Sequence, residues 1–246
     1  MSFTPRLDEH RTGDVLWYAD DDARAEGVLV AFTARLGGVS RPPYDTLNLA
    51  VRVGDERGDV MANRRRAGEA AGFDASRLAL AIQVHAADVL DVAPGDAGVL
   101  GEADGLFTAQ PGSVLAILAA DCAPVVLWGE EGVAIVHAGW RGLAAGVIAK
   151  GAERVGDVRA AWVGPAIGAC CYEVGPEVVE AFRDAGLPVH DESHVDPRDA
   201  AAAALRRAGV TKPAVSGICT SCDRRFFSYR RDGVTGRHGA FVSLLA

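Results

Sequence analysis

The sequence predicts an α/β (α+β) fold, a single domain of mixed β-sheets flanked by helices. Three observations carry that expectation. Short apolar runs outnumber amphipathic stretches, several runs are apolar at consecutive positions, and strands do not alternate regularly with helices. Consecutive apolar residues mark strands buried on both faces. The irregular order disfavours a doubly wound sheet or a barrel of eight βα units.

In chain order, strands are expected at VLVAFT (28–33), LALAIQVH (78–85), ADVLDV (87–92), SVLAILAA (113–120), PVVLW (124–128) and GVAIVH (132–137). Further strands are expected at RAAWVG (159–164), AVSGICT (214–220), RFFSYR (225–230) and GAFVSLL (239–245). Helical patterns run over 59–72, 141–156, 175–186 and 196–209, each closing on a glycine, the usual C-terminal punctuation of a helix. The alternating aromatic and polar residues of FFSYRRDG (226–233) suggest an edge strand with Tyr229 or Arg230 beside a cleft. There is no linker-like segment and no internal repeat, so residues 1–246 read as one domain.

Composition narrows the function class. A chain of 246 residues with 49% hydrophobic and 24% charged content has enough apolar material for a sizeable core, which excludes disorder as its main state. With 25 basic and 33 acidic residues the net charge is -8, which argues against affinity for nucleic-acid phosphates. No apolar run approaches the roughly 18–20 residues that span a bilayer, and the start MSFTPRLDEHRTGD has no signal-peptide core. A cytoplasmic protein without a membrane partner is expected. The odd cysteine count (Cys122, Cys170, Cys171, Cys219, Cys222) then points to free thiols or metal ligands instead of a disulfide framework.

Three potential ligands occupy comparable positions in three elements. His85 ends LALAIQVH, His137 ends GVAIVH, and Cys122 follows SVLAILAA. If these runs share a sheet region, all three emerge at carboxyl ends, where α/β sheets commonly place their sites. Two imidazoles and a thiolate leave a zinc ion one open position, the pattern of catalytic zinc. Gln83 and Asp121 flank these ligands and suit contacts that orient an imidazole or a substrate. After His137, AGWRGLAAG turns into a helix start that with Arg141 favours an anion. Arg64, four residues after Val60 in its helical pattern, is placed on a face that can look inward.

Several segments together resemble the YfiH/YlmD family, long labelled laccase-domain or polyphenol oxidase proteins and now regarded as purine nucleoside phosphorylases. They are GGVS with PYDTLNLA (37–50), VGD with NRR (53–65), QVH (83–85), ADGLFT (103–108), ADCAPVVL (120–127), VHAGWRGL (136–143), GPAIGACCYEVG (164–175) and FFSYRRDGVTGR (226–237). They cover nearly the whole chain in order. The resemblance implies zinc at His85, Cys122 and His137 and a single domain related to a bacterial toxin deamidase. It also implies phosphorolysis of adenosine, inosine and methylthioadenosine, adenosine deamination beside it, and a homodimer. On that reading Arg64 and Arg141 hold phosphate, while Asn48, Gln83, Asp104 or Asp121 contact the nucleoside or accept its protons.

Three other readings remain. A copper-dependent polyphenol oxidase needs further histidines and an axial ligand, whereas only four histidines remain beyond the proposed pair and Met61 lies in a polar helical pattern; copper can still occupy the zinc site. Cys122 and His137 can form an amidohydrolase dyad. A zinc-binding module without catalysis is the third, weakened by the open fourth position. His190, Glu192, Cys219 and Cys222 imitate a zinc-deaminase signature, but Ile218 stands where that signature has proline and HDESHVDPRD is rich in helix breakers.

Overall fold

The computed structural model describes residues 3–245. Its strands, in chain order, are β1 (Asp8–Thr12), β2 (Val15–Ala19), β3 (Val28–Thr33), β4 (Leu78–Ile82), β5 (Val89–Asp91), β6 (Gly98–Glu102), β7 (Gly105–Thr108), β8 (Val114–Ala119), β9 (Ala123–Gly129), β10 (Val133–Ala138), β11 (Val158–Val163), β12 (Ala214–Val215) and β13 (His238–Leu244). The helices are α1 (Asp21–Ala25), α2 (Arg57–Ala71), α3 (Trp140–Ala144), α4 (Val147–Val155), α5 (Pro176–Asp184), α6 (Pro197–Arg207) and α7 (Tyr229–Asp232).

Two mixed sheets form, in the orders β1-β2-β3-β13-β8-β4-β6 and β12-β11-β9-β10-β7-β5. They face each other across a core that joins Leu16, Val30, Phe32 and Ile117 of the first sheet to Val126, Ile135 and Trp162 of the second. The outer face of the first sheet packs on α2 through Leu78, Ala116, Phe241, Ala67 and Ala71. That of the second packs on α4, α5 and α6 through Val125, Val136, Ile148, Phe182 and Leu205. The layers therefore run helix, sheet, sheet, helices, and the central strands β3, β9 and β10 are buried at every position. This is why their sequences are apolar without alternation. Among the described residues, no helix is long and apolar enough to cross a membrane.

Four local expectations need correction. The stretch 225–230 is no strand: Ser228 takes extended dihedrals, its side chain accepts from the Arg231 N–H, and α7 starts there. The stretch 141–156 is two helices, broken where Gly146 turns left-handed at φ 82°. β4 stops at Ile82, so Gln83, Val84 and His85 belong to a loop, and β12 covers only two residues of AVSGICT. Strands β1, β2, β6 and β7 and helix α1 have no counterpart among the sequence expectations.

Candidate metal centre

His85, Cys122 and His137 come together, with their ligand atoms within 4.8 Å of one another. The topology does this. β8 of the first sheet leads into β9 of the second, and Cys122 sits on the crossover. The antiparallel β9–β10 register pairs Ala123 with Ala138 and Pro124 with His137, which brings the imidazole up to the cysteine. β4 runs parallel to β8, so the loop after it delivers His85 to the same end. The two imidazole rings meet edge to face, with centroids 4.8 Å apart.

Two backbone features mark the spot. His85 (φ 62°) and Asp121 (φ 96°) are the non-glycine residues with positive φ among the described residues. Such conformations cost about 1–3 kcal/mol each and persist where surrounding contacts over-determine them. Gly139 is the second. A Cβ there would lie 3.0 Å from His85 Cδ2 and 3.3 Å from Cys122 Sγ, so the space between the ligands exists because position 139 has no side chain. With two nitrogens, one sulfur and that space, the residues fit a zinc ion that keeps one coordination position open. Copper would accept the same donors.

Asp104, fully buried, holds the centre in place. Its Oδ1 lies 2.7 Å from His137 Nδ1, and its Oδ2 accepts from the N–H groups of Val84 and Ala86 at 3.0 and 2.7 Å, on either side of His85. The His137 N–H donates to the Asp104 carbonyl at 2.7 Å. One carboxylate thus orients one histidine directly and the other through its backbone. It also directs His137 Nε2, the ring nitrogen it does not bind, toward the thiol. Burial alone pushes the Cys122 thiol up, but the neighbouring His137 and His85 outweigh it and bring it down to about 6. Burial likewise lowers His137, and the Cys122 charge with the Asp104 bond reverses this to about 9. Both shifts favour a thiolate–imidazolium pair of Cys122 and His137 over the neutral pair when no metal is bound.

A cleft of about 210 Å³ opens beside Cys122, lined by Asp121, Gly139, Trp140, Tyr172, Tyr229 and Arg230 among others. Three aromatic rings, of Trp140, Tyr172 and Tyr229, line it. Arg230 stacks over Tyr172 at 5.1 Å and Arg141 over Trp140 at 4.2 Å. Burial, reinforced by the charge on Cys122, raises the Tyr172 hydroxyl to about 12, so it stays protonated as a donor. Arg237 also feels the charges of Cys122 and Asp121, though burial holds it below the usual arginine range. Among the described residues no carboxylate pairs with Arg64, Arg141, Arg230 or Arg237.

Of the expected residues, the three ligands converge and Asp121 lines the cleft; the others stand back from it. Asp121 Oδ1 accepts from Thr220 Oγ1 and its Oδ2 from the Arg230 N–H, each at 2.7 Å, so this carboxylate ties two loops to the crossover. Gln83 spans to β8, donating to the Leu118 carbonyl and accepting the Leu118 N–H. Asn48, wholly buried, binds Ala50, Asp55 and the Arg237 N–H. Arg64 donates from Nε to the Leu49 carbonyl. Residues 48–50 thus lie between Arg64 and Arg237. Sequence reasoning missed Tyr172, Arg237 and the role of Gly139. Tyr172 follows a cysteine pair in a loop without periodicity, and only the resemblance to GACCYEVG marked that stretch.

Fold and centre together define a two-sheet α/β protein with a His2Cys metal group at the crossover between its sheets. Residues 29–245 match the sequence model of the family described as multi-copper polyphenol oxidoreductase laccase. The chain is 40% identical over 233 residues to purine nucleoside phosphorylase YfiH of Shigella flexneri (89% of this chain, 95% of that one). It is 42% identical over 229 residues to a purine nucleoside phosphorylase of Deinococcus radiodurans (87% and 88%). The crystal structure of YlmD from Geobacillus stearothermophilus superposes with a TM-score of 0.88 at 33% identity, covering 98% of this chain and 100% of that one. This chain belongs to the YfiH/YlmD family.

Proposed function

We propose that this protein is a zinc-dependent purine nucleoside phosphorylase acting on adenosine, inosine and methylthioadenosine, with adenosine deamination as a side reaction. The observation that carries the reading is a His2Cys centre opening onto a cleft lined by three aromatic rings and by Arg230, which has no carboxylate partner. The relatives named purine nucleoside phosphorylase support it. Ring faces suit a purine, and free guanidinium groups suit phosphate. Zinc, when bound, supplies a Lewis acid that polarises an oxygen in its open position.

The chain's own residues have distinct tasks. Trp140, Tyr172 and Tyr229 offer surfaces for the base. Arg230 supplies positive charge at the cleft, Arg141 lies behind it against Trp140, and Arg237 adds to the field around Cys122. Asp104 and Asp121 act as positioning residues, since both oxygens of each already accept protein hydrogen bonds. Asn48, Gln83 and Arg64 support the cleft from behind through the contacts described above.

Among the described residues, the other group of three or more metal-ligating side chains contains no histidine, and Met61 lies exposed on α2. This favours zinc over a multicopper oxidase, which needs a histidine-rich cluster. One observation favours a second reading: Asp104, His137 and Cys122 form a chain resembling a nucleophile, base and orienting acid. His85 at the thiol argues for metal, because a dyad does not need it.

Assaying purified protein with adenosine, with and without phosphate and after chelation, tests the proposal. Phosphate-dependent release of adenine and ribose 1-phosphate, lost on chelation, is expected. No nucleoside turnover by zinc-loaded protein would overturn it. Light scattering on the same sample tests the homodimer that belongs to this proposal.

A further inference from the structure

A second ligand cluster lies outside this centre. The sulfurs of Cys170, Cys171, Cys219 and Cys222 all fall within 4.8 Å of one another. Cys222 Sγ is 3.5 Å from Cys170 Sγ and 3.3 Å from Cys171 Sγ. A disulfide needs about 2.05 Å between sulfurs, whereas four thiolates at about 2.3 Å from one tetrahedral zinc stand roughly 3.8 Å apart. The sulfurs are thus too far apart for a disulfide and close enough together to share one ion.

Two turns of the chain bring the four sulfurs together. The adjacent pair sits in a turn after β11, closed by the Cys171 and Tyr172 N–H groups on the Gly168 carbonyl. The CxxC pair sits in another turn, closed by the Asp223 N–H on the Cys219 carbonyl. A parallel bridge between Ala166 and Cys219 aligns the two turns. The Gly168 N–H donates to Cys219 Sγ at 3.2 Å, a bond that stabilises negative charge on sulfur. The Arg198 guanidinium, paired with Asp196 at 2.6 Å, also comes against Gly168 beside Cys170.

We propose that these four cysteines bind a structural zinc ion, separate from the His85–Cys122–His137 centre. Four protein ligands close the coordination sphere, so this ion is structural and not catalytic. The four thiols release their protons to solvent as it binds, leaving a centre of net charge 2-, which the Gly168 N–H partly offsets. Its consequence reaches the cleft. One turn leads directly into Tyr172 and the other toward Arg230, whose guanidinium stacks over Tyr172 and donates to the Glu173 carbonyl at 2.6 Å. The ion would clamp both walls of the cleft together. This inference does not depend on the phosphorylase reading.

Metal analysis of reduced, purified protein should find two zinc ions per chain, falling to one in C122S and to one in C219S/C222S. Because the double variant can fail to fold, cobalt substitution of C122S provides an independent measurement. With Cys122 gone, a thiolate-to-cobalt charge-transfer band can come only from the four-cysteine cluster, and we expect it with the visible bands of a tetrahedral site. Removing that ion should accelerate hydrogen exchange across residues 168–173 and 219–232 while sparing β9 and β10. Absence of both the second zinc and the cobalt band, with four thiols freely alkylated, would overturn the proposal. So would a non-reduced mass lower by two or four hydrogens, which marks disulfides.

Discussion

Replacing Asp104 by asparagine exchanges one carboxylate oxygen for an amino group at a fully buried position and probes the centre most directly. The carboxylate accepts on both sides: from His137 Nδ1 at 2.7 Å, and from the Val84 and Ala86 N–H groups at 3.0 and 2.7 Å. An asparagine has one accepting and one donating end. If its oxygen turns to His137, its amino group faces two backbone donors, leaving two part-buried amides without their partner, at no more than about 1–3 kcal/mol each. The opposite orientation is therefore preferred, with the oxygen on the amides and the amino group on His137 Nδ1. That nitrogen must then accept, so the ring proton moves to Nε2 and removes the lone pair facing Cys122. Orienting partners of this kind are worth roughly 10–100-fold in metal affinity, or about 1.4–2.7 kcal/mol. Chelator competition should show D104N binding zinc at the catalytic centre at least tenfold more weakly, with thermal stability close to wild type. Retention of zinc affinity within about twofold in a folded D104N would refute the reasoning. D104A, which removes the acceptor of both part-buried amides, should be less stable by about 1–3 kcal/mol in chemical denaturation.

Other expectations follow from the same geometry. G139A places a methyl group 3.0–3.3 Å from His85 and Cys122 and should lower zinc occupancy of the catalytic centre, read by metal analysis, while leaving the circular dichroism spectrum unchanged. R230A removes a cation from the cleft, and a charged contact worth about 1.5–3 kcal/mol implies a KM for phosphate or nucleoside raised at least tenfold in steady-state kinetics. C122S should lose zinc from the catalytic centre together with activity; zinc retained there without activity would favour the nucleophile reading. His238 predicts an acid limit to stability. Burial, aided by Arg237, lowers its imidazole from 6.5 to about 3, and neither ring nitrogen has a partner. The unfolded chain thus takes up the proton at a higher pH than the folded one, so the stability contribution is complete above about 6.5 and is lost as pH falls toward 3. The full gap is on the order of 5 kcal/mol. Melting curves from pH 7 to 4 should fall less steeply in H238F than in the wild type.

Much of this protein is legible along the chain, and what is legible is local. The unbroken apolar runs at 28–32, 114–119 and 133–136 announce strands with two buried faces, because a strand between a second sheet and a helix layer has no side turned to water. His85, Cys122 and His137 stand out because each ends or follows such a run. Ser228 was misleading, since alternating aromatic and polar residues read as a strand until the serine side chain caps a helix.

Tertiary structure alone decided how these pieces act on one another. It placed Cys122 on the crossover between sheets and matched His137 to it by the β9–β10 register. It gave Asp104 and Asp121 hydrogen-bond partners 18 to 109 residues away, contacts in space that leave no periodic trace in the chain. It joined two cysteine pairs, 51 and 52 residues apart, into one cluster for the same reason. Composition and spacing determine which elements form and which side chains can do chemistry; packing of distant strands determines which of those side chains share one volume of space.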